Sequence, residues 1–255
     1  MCYDVASKAQ ADLRYAVLRG ASEKLIYELT KKLEELRGKP IYHASGFAHP
    51  QLLVFTNDKP YEPQLFTWGL IPAWVQDADT ASTIQNQTLN ARGETIFDKP
   101  SFRNAAQKKR CLIYLDAFYE HHHYKGKTYP FRISMKSGEP FAVAGLWEEW
   151  VDKETGEIKN TVTIVTTEAN DLMAKIHNNP KAEGGRMPVI LPKDKQDEWL
   201  VPINNNEDKQ RITDLIQPFD SQLMSAYTVG RLKGKAAKGN VPEVGEEIKY
   251  PELSF

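Results

Sequence analysis

Short apolar runs separated by turn-forming residues dominate the chain after residue 50. Runs of this kind, bounded by Gly, Pro, Asn, Asp or Ser, are typical of β-strands. The pattern predicts strands at residues 52–56, 65–68, 111–118, 129–134, 141–146, 162–167, 188–191 and 223–229. A turn that ends at Gly156 separates the fifth and sixth of these strands, so we expect the two to pair as a hairpin.

A helical periodicity distinguishes residues 22–37. Apolar side chains recur there at steps of three and four from Leu25 to Leu36, which predicts an amphipathic helix ending at Gly38-Lys39-Pro40. Shorter helices are predicted at residues 91–97, 168–176, 193–200 and 206–216. Because long helices do not alternate regularly with the strands, a doubly wound parallel sheet is not expected. An α+β domain with a mixed, partly closed sheet fits the pattern better.

Bulk composition is that of an ordinary globular protein. The chain has 255 residues, of which 41% are hydrophobic and 26% charged, and its formal net charge is −1. This charge excludes a globally basic nucleic-acid-binding protein, so any DNA-binding surface must be a local patch. No stretch approaches the roughly 20 apolar residues of a membrane span, and charged residues occupy the place of a signal-peptide core. We therefore expect a cytoplasmic protein without membrane contact.

The two cysteines, Cys2 and Cys111, are too few for a disulfide framework and lack the spacing of a zinc site. Removal of Met1 would give Cys2 an α-amine and a thiol on adjacent carbons. Reference pKa values near 7.7–8.0 for the amine and 8.5 for the thiol leave both partly nucleophilic at neutral pH. An aldehyde can form an imine with this amine, after which the thiol can close a thiazolidine ring. Taken alone, a cysteine at position 2 is more often incidental.

Three further positions are candidates for chemistry. Asn90 and Arg92 lie where a strand-like run passes into a helix-like one, which can present an amide to a reacting centre and a guanidinium to a phosphate. The alternative is an ordinary turn with a solvated Arg. Glu120 ends a long apolar run, where a partly desolvated carboxylate suits proton transfer, although strands often end in charged residues. His177 ends a predicted helix and can shuttle protons, although a lone His is more often a packing or surface residue.

Two more conspicuous features receive a simpler interpretation. The run His121-His122-His123 suggests a metal site, but consecutive strand residues point to alternate faces, and the remaining ligands of a zinc site do not accompany them. A solvated loop is the preferred interpretation. The basic stretch 231–238 could hold a nucleic-acid backbone or be a solvated surface.

Five motifs carry a resemblance to a known family. They are Met1-Cys2, Trp68-Gly69-Leu70-Ile71-Pro72-Ala73-Trp74, Asn90-Ala91-Arg92-Gly93-Glu94-Thr95, Arg110-Cys111 leading to Phe118-Tyr119-Glu120, and Ile176-His177 with Arg186-Met187-Pro188-Val189-Ile190-Leu191. Each is weak alone, but together, in this order and spacing across most of the chain, they resemble the SOS-response-associated peptidase (SRAP) family of abasic-site processing proteins.

The resemblance implies an α+β domain with a β-barrel-like sheet core flanked by helices, and a groove for single-stranded DNA containing abasic sites. We assign this domain to residues 1–240 and an acidic surface tail to residues 241–255. We expect a monomer that uses no metal or cofactor.

The resemblance also implies roles at matching positions. Cys2 would be the covalent nucleophile after self-processing of Met1, and Asn90 would orient the N-terminus or the ring. Glu120 would act as general acid and base, and His177 would move protons. DNA contacts are expected at Arg92, Trp68, Trp74, Arg186, Arg231, Lys233 and Lys235.

The chain departs from the family pattern at its start, where Tyr3-Asp4 replaces Gly-Arg. An acid there would repel a DNA phosphate. The stretch Tyr42-His43-Ala44-Ser45 only echoes the family's Asn-x-Ala-Pro, and an insertion at 178–185 could reshape the groove.

Two alternatives remain open from the sequence. One is a thiol peptidase acting in trans, with Cys2, His177 and Asn90 as a Cys-His-Asn arrangement. The other is a non-covalent single-stranded DNA-binding protein whose altered N-terminus has abandoned crosslinking.

Overall fold

The computed structural model describes residues 2–7, 22–35, 40–180 and 184–253. Thirteen strands and six α-helices lie within this part of the chain. The strands are β1 Asp4–Ser7, β2 Ile41–Ser45, β3 Gln51–Thr56, β4 Gln64–Trp68, β5 Asn90–Arg92, β6 Arg110–Leu115, β7 Ala117–Tyr124, β8 Lys127–Met135, β9 Phe141–Val151, β10 Ile158–Glu168, β11 Arg186–Pro188, β12 Ile190–Leu191 and β13 Met224–Thr228. The helices are α1 Glu23–Glu35, α2 Ala78–Gln87, α3 Arg103–Lys108, α4 Asp171–Ile176, α5 Gln196–Leu200 and α6 Asn206–Asp214.

Five strands close into a barrel. β10 pairs with β4, β4 with β3, β3 with β6 and β6 with β9, and β9 returns to β10. Within this ring the β4–β10 pair is parallel and the other four pairs are antiparallel, so the sheet is mixed. The short strands β5, β11 and β12 extend it. The predicted mixed, β-barrel-like core is therefore confirmed, as is the hairpin of β9 and β10.

Strand β6 shows how the apolar pattern builds two layers. All six of its residues are buried, as a strand covered on both faces requires. Cys111, Ile113 and Leu115 face the core that the barrel shares with a second sheet. Leu112 and Tyr114 belong to the opposite core, beneath helices that include Trp199 and Ala105.

The second sheet has the order β13-β8-β7-β1-β2, with every pair antiparallel. The predicted strand 111–118 is wrong, because Asp116 interrupts it and donates its N–H to Ala6 O at 2.9 Å. At this point the chain crosses from the barrel to the second sheet. The crossing places Glu120 on β7, directly beside β1 near the start of the chain.

Three local predictions are corrected by the pairing of strands. Residues 91–97 do not form a helix, because residues 90–92 pair in parallel with β10 and a 3₁₀ turn follows. The strand 188–191 is divided at Val189, whose main chain bonds to Val165 and Ala144 on two barrel strands. The histidine run is not a loop, since it lies in β7 and pairs with β8.

The segment after residue 240 is packed on the domain. Val244 is buried, the Ile248 N–H donates to Thr228 O at 2.8 Å, and the Tyr250 ring lies 5.0 Å from that of Tyr129. The described part of this segment, up to residue 253, therefore contacts β8 and β13, and the division into a domain at 1–240 and an acidic surface tail at 241–255 stays a prediction.

The predicted helix at 22–37 is present as α1, although its last two residues lie outside the described part of the chain. Helices α2 and α3 and strands β1 and β2 had no clear signal in the sequence. Within the described residues, we find no helix whose length and apolar character would allow it to cross a bilayer.

Candidate functional site

Cys2 lies in the protein core, two residues before β1. It is 1% exposed, and its carbonyl accepts a hydrogen bond from Asn90 Nδ2 at 2.8 Å. The next carbonyl, of Tyr3, accepts the Gly46 N–H at 2.7 Å. The main chain at the start of β1 is therefore held from two directions.

Asn90 reaches Cys2 because β5 lies alongside β10 in the barrel wall, with Asn90 opposite Ile164. Its Nδ2 is used by Cys2, whereas its Oδ1 is buried and has no hydrogen-bond partner among the described residues. A buried amide oxygen without a partner is costly and therefore uncommon. The oxygen can accept a hydrogen bond from a donor that enters the site.

Glu120 and His177 form the other side of the site. The Glu120 Oε2 lies 3.6 Å from His177 Nδ1, and both side chains are about nine-tenths buried. The His121 N–H donates to Glu120 Oε1 at 3.0 Å, which orients the carboxylate. The Arg186 N–H and C=O lie 3.1 and 3.0 Å from His177 Nδ1. This main chain can bond the imidazole nitrogen in either protonation state.

The electrostatic setting keeps the thiol protonated. Burial raises the pKa of Cys2 far above its ordinary value, and the negative charge of Glu120 adds to the rise. Burial and Glu120, in the same order, also raise the pKa of Tyr3. A buried thiol of this kind is a weak nucleophile until a base removes its proton.

Asp4 points to the opposite face of the second sheet from this site. Its carboxylate lies 2.9 Å from His43 Nε2 and 3.1 Å from Lys233 Nζ, and its side chain is 3% exposed. Burial alone would raise the pKa of Asp4, but the hydrogen bond from His43 and the charge of Lys233 outweigh it and hold that pKa below its ordinary value. Asp4 is therefore enclosed and paired with His43 and Lys233, whereas its expected repulsion of a DNA phosphate stays a prediction.

Arg186 braces the wall of the site. Its guanidinium makes a two-pronged contact with the Glu94 carboxylate at 3.0 and 2.8 Å, and it donates to Thr166 O at 2.9 Å. The side chain is 12% exposed. A phosphate contact by Arg186, as expected from the sequence, would require these bonds to break. The pair joins the turn after β5 to β11, and thereby holds Asn90 and His177 on neighbouring segments.

The two tryptophans differ in accessibility. Trp68 is fully buried and its Nε1 donates to Leu89 O at 2.7 Å, so its expected contact with DNA is corrected to packing beneath the site. Trp74 is 48% exposed and its Nε1 lies 3.3 Å from Pro100 O. Trp74 therefore keeps an accessible ring.

The remaining basic candidates are exposed. Arg92 lies beside Glu94, and Arg231 and Lys235 lie on the segment that Lys233 ties to Asp4. In the described residues, no group of three or more His, Cys, Asp or Glu side chains could hold a metal ion.

Sequence reasoning missed His43 as a site-supporting residue and Phe47 as an exposed aromatic beside Tyr3. Their rings contact Tyr119 and Tyr3, at centroid distances of 5.5 and 5.2 Å. Both lie on or directly after β2, a strand without a clear alternating pattern, so no periodicity singled them out.

These features define a class of protein: a mixed α/β barrel domain in which a cysteine at the start of a strand meets an amide, with a carboxylate and an imidazole beside it. A model of the family described as SOS response associated peptidase (SRAP) matches residues 7–236. The chain belongs to the SRAP family.

Known relatives agree with this assignment. The chain is 43% identical over 180 residues to the Abasic site processing protein YoqW of Bacillus subtilis (strain 168), a match that covers 70% of this chain and 74% of the relative. It is 29% identical over 153 residues to the Abasic site processing protein HMCES of Gallus gallus, covering 52% and 43% of the two chains.

Solved structures show the same fold. A crystal structure of a protein from Bacteroides thetaiotaomicron superposes with a TM-score of 0.82 at 33% identity, over 97% of this chain and all of that one. A protein from Bordetella bronchiseptica gives a TM-score of 0.67 at 23% identity, over 89% and 99% of the two chains, and shows the fold alone.

Proposed function

We propose that this protein processes abasic sites in single-stranded DNA by capturing their aldehyde covalently on Cys2. The observation that carries the proposal is the burial of residue 2 against Asn90, in the electrostatic field of Glu120 and beside the Glu120–His177 pair. The choice of an abasic site as the substrate comes from membership of the SRAP family and from the names of the relatives.

The proposed reaction uses the free amine of Cys2. Water first adds across the Met1–Cys2 peptide bond, which releases methionine and is the self-processing step. The amine then attacks the aldehyde carbon and one water leaves, giving an imine. The Sγ adds to the imine carbon while the thiol proton moves to the nitrogen, which closes the thiazolidine. Atoms and electrons balance over these reaction steps without an oxidant, a reductant or a cofactor.

Asn90 is the proposed positioning residue. Its Nδ2 fixes the Cys2 carbonyl, and its Oδ1, which has no partner within the described part of the chain, accepts a hydrogen bond from the amine or from the ring nitrogen. Holding the amine in one orientation favours attack on a bound aldehyde.

Glu120 and His177 supply the proton transfers. Glu120 first assists the opening of the sugar ring to the aldehyde as a general acid and base, and during thiazolidine closure it takes the thiol proton and passes it to the ring nitrogen. His177 exchanges protons with Glu120 across their 3.6 Å contact, while the Arg186 main chain supports both states of the imidazole. Arg92, Arg231 and Lys235 hold the DNA backbone, which makes the encounter with DNA dependent on salt.

The raised pKa of the Cys2 thiol favours this chemistry over a thiol peptidase acting in trans. A peptidase nucleophile must attack as a thiolate, which needs a lowered pKa. In the proposed capture, the amine attacks first and the thiol reacts later, intramolecularly.

An oligonucleotide with one abasic site tests the proposal. Incubation should give a heat-stable adduct on a denaturing gel, with an intact mass equal to Met1-free protein plus oligonucleotide minus water. Cys2→Ala should abolish the adduct, and Cys111→Ala, which removes the other buried thiol, should retain it. An adduct with Cys2→Ala would refute the proposal. Reversible binding of equal affinity to intact and abasic strands, with no adduct, would instead support a non-covalent DNA-binding protein.

A further inference from the structure

Phe47 forms an exposed aromatic surface next to the covalent site. Its side chain is 52% exposed, although an aromatic ring of this size is usually more buried. The ring packs against Tyr3 with centroids 5.2 Å apart and planes tilted by 35°. Tyr3 directly follows Cys2, so the pair borders the position where the lesion would be held. We infer that Phe47, supported by Tyr3, is the stacking surface for the nucleobase adjacent to the abasic site.

The turn that carries Phe47 is fixed to the core. Gly46 donates its N–H to Tyr3 O, and the position of its Cβ would lie 3.1 Å from the Trp68 ring and 3.2 Å from Leu89. A side chain at residue 46 would push the turn away from Trp68 and Leu89. Trp68 is itself held by its bond to Leu89 O, one residue before Asn90.

The turn is also fixed at its end. His49 adopts a left-handed conformation with φ 47°, and its Nδ1 lies 2.7 Å from Trp68 O. Trp68 thus contacts the turn at both Gly46 and His49. These two contacts fix the position of Phe47, which lies between them in the chain. A rigid aromatic platform loses little conformational entropy when it binds a base.

The chemistry of the surface indicates a base rather than a phosphate. Tyr3 and Phe47 present apolar rings, and the neighbouring acid Glu120 would repel an anion. Aromatic rings stack on any base, since every base has a π-face, so the contact should not select sequence. A base next to an abasic site has lost one stacking neighbour, and an aromatic side chain can replace it.

The inference rests on the proposed binding of abasic DNA, but its test does not need the crosslink. The full chain is titrated into oligonucleotides that carry a tetrahydrofuran abasic analogue, which has no aldehyde, with 2-aminopurine on its 5′ or its 3′ side. Stacking quenches 2-aminopurine. We expect severalfold quenching on one side, its loss in Phe47→Ala with affinity about tenfold weaker, and its retention in Phe47→Trp.

Tyr61→Ala is the matched control. Tyr61 is 50% exposed and follows the far end of β3, roughly 20 Å of strand away from the turn that precedes β3. It should leave quenching and affinity unchanged. Equal quenching by Phe47→Ala and the parent chain, or no quenching on either side, would overturn the inference. Failure of the covalent proposal is separate, because it appears as a missing adduct with the natural abasic site.

Discussion

Asp4 and Lys233 form an ion pair at 3.1 Å although they lie 229 positions apart in the chain. The pair, together with His43, ties the basic segment 231–235 to the strand that begins two residues after Cys2. The phosphate-binding Arg that the family pattern places at position 4 is thus replaced by an internal contact. The negative charge of Asp4 is balanced by Lys233, which lies on a segment that covers the same face of the sheet.

Asp4 should make stability depend on pH in the acid range. Its pKa in the folded protein lies below the ordinary value of 3.8, so its contribution is present above that value and is lost as the pH falls below it. We expect Asp4→Asn to be less stable than the parent chain at pH 6, by about 1–3 kcal/mol. The difference should shrink between pH 4 and pH 2, as measured by urea unfolding.

A matched control for this prediction is Asp77→Asn, an exposed helix-capping acid. It should cost less than Asp4→Asn at pH 6, since its carboxylate is solvated. A stability difference for Asp4→Asn that stays constant down to pH 2 would show that the charge of Asp4 does not stabilise the fold.

Asn90 should control the rate of capture more than the binding of DNA. In Asn90→Ala, both the bond to the Cys2 carbonyl and the Oδ1 acceptor are lost. We expect single-turnover adduct formation to slow by roughly a hundredfold or more, the effect of losing one positioned hydrogen-bonding group at a reacting centre. Quenched gel time courses at saturating protein measure this rate.

Asn86→Ala is the comparison variant for that experiment. Its side chain donates to Ser82 O within α2, at 3.1 Å, and Asn86→Ala should leave the rate unchanged. If Asn90→Ala reacts at the parental rate but binds DNA more weakly, Asn90 contacts DNA and does not position the amine.

The barrel and the site differ in how far the sequence could predict them. The strand at 111–115 was predictable because every residue is apolar, and the hairpin of β9 and β10 because a glycine turn separates two apolar runs. The break at Asp116 was not, since it depends on a bond to Ala6 more than a hundred residues away. Local pattern carries no information about such partners.

The same limit applies to the site. Cys2, Asn90, Glu120 and His177 were recognised from short motifs, but the motifs could not tell an exposed Arg92 from an Arg186 committed to Glu94. His43 was not predicted, because its role is to bond Asp4. The sequence does not show that Asp4 is covered by the distant segment that contains Lys233.

Cys2 should resist alkylation at neutral pH. Burial raises its pKa, so the reactive thiolate should be scarce and the rate of modification by iodoacetamide should still be rising at pH 9. Burial raises the pKa of Cys111 as well, which makes it an internal reference for a protected thiol. Peptide mass spectrometry follows both sites. Rapid modification of Cys2 at pH 7 would indicate a thiolate and would favour the peptidase alternative.

Gly93 should be intolerant of a side chain because the turn after β5 is packed against Ile216, two residues after the end of α6. A Cβ at residue 93 would collide with Ile216 Cγ2 and lie 3.1 Å from Thr166 O. We expect Gly93→Ala to destabilise the fold by about 1–3 kcal/mol, since the core cannot absorb the extra methyl group without strain. Because Asn90 and Arg92 precede this turn, adduct formation should slow as well. The double variant Gly93→Ala/Ile216→Ala removes the colliding group, so its loss of stability should be smaller than the sum of the two single losses. Additive losses, measured by urea unfolding at constant pH, would mean that the turn moves away from Ile216 at no cost.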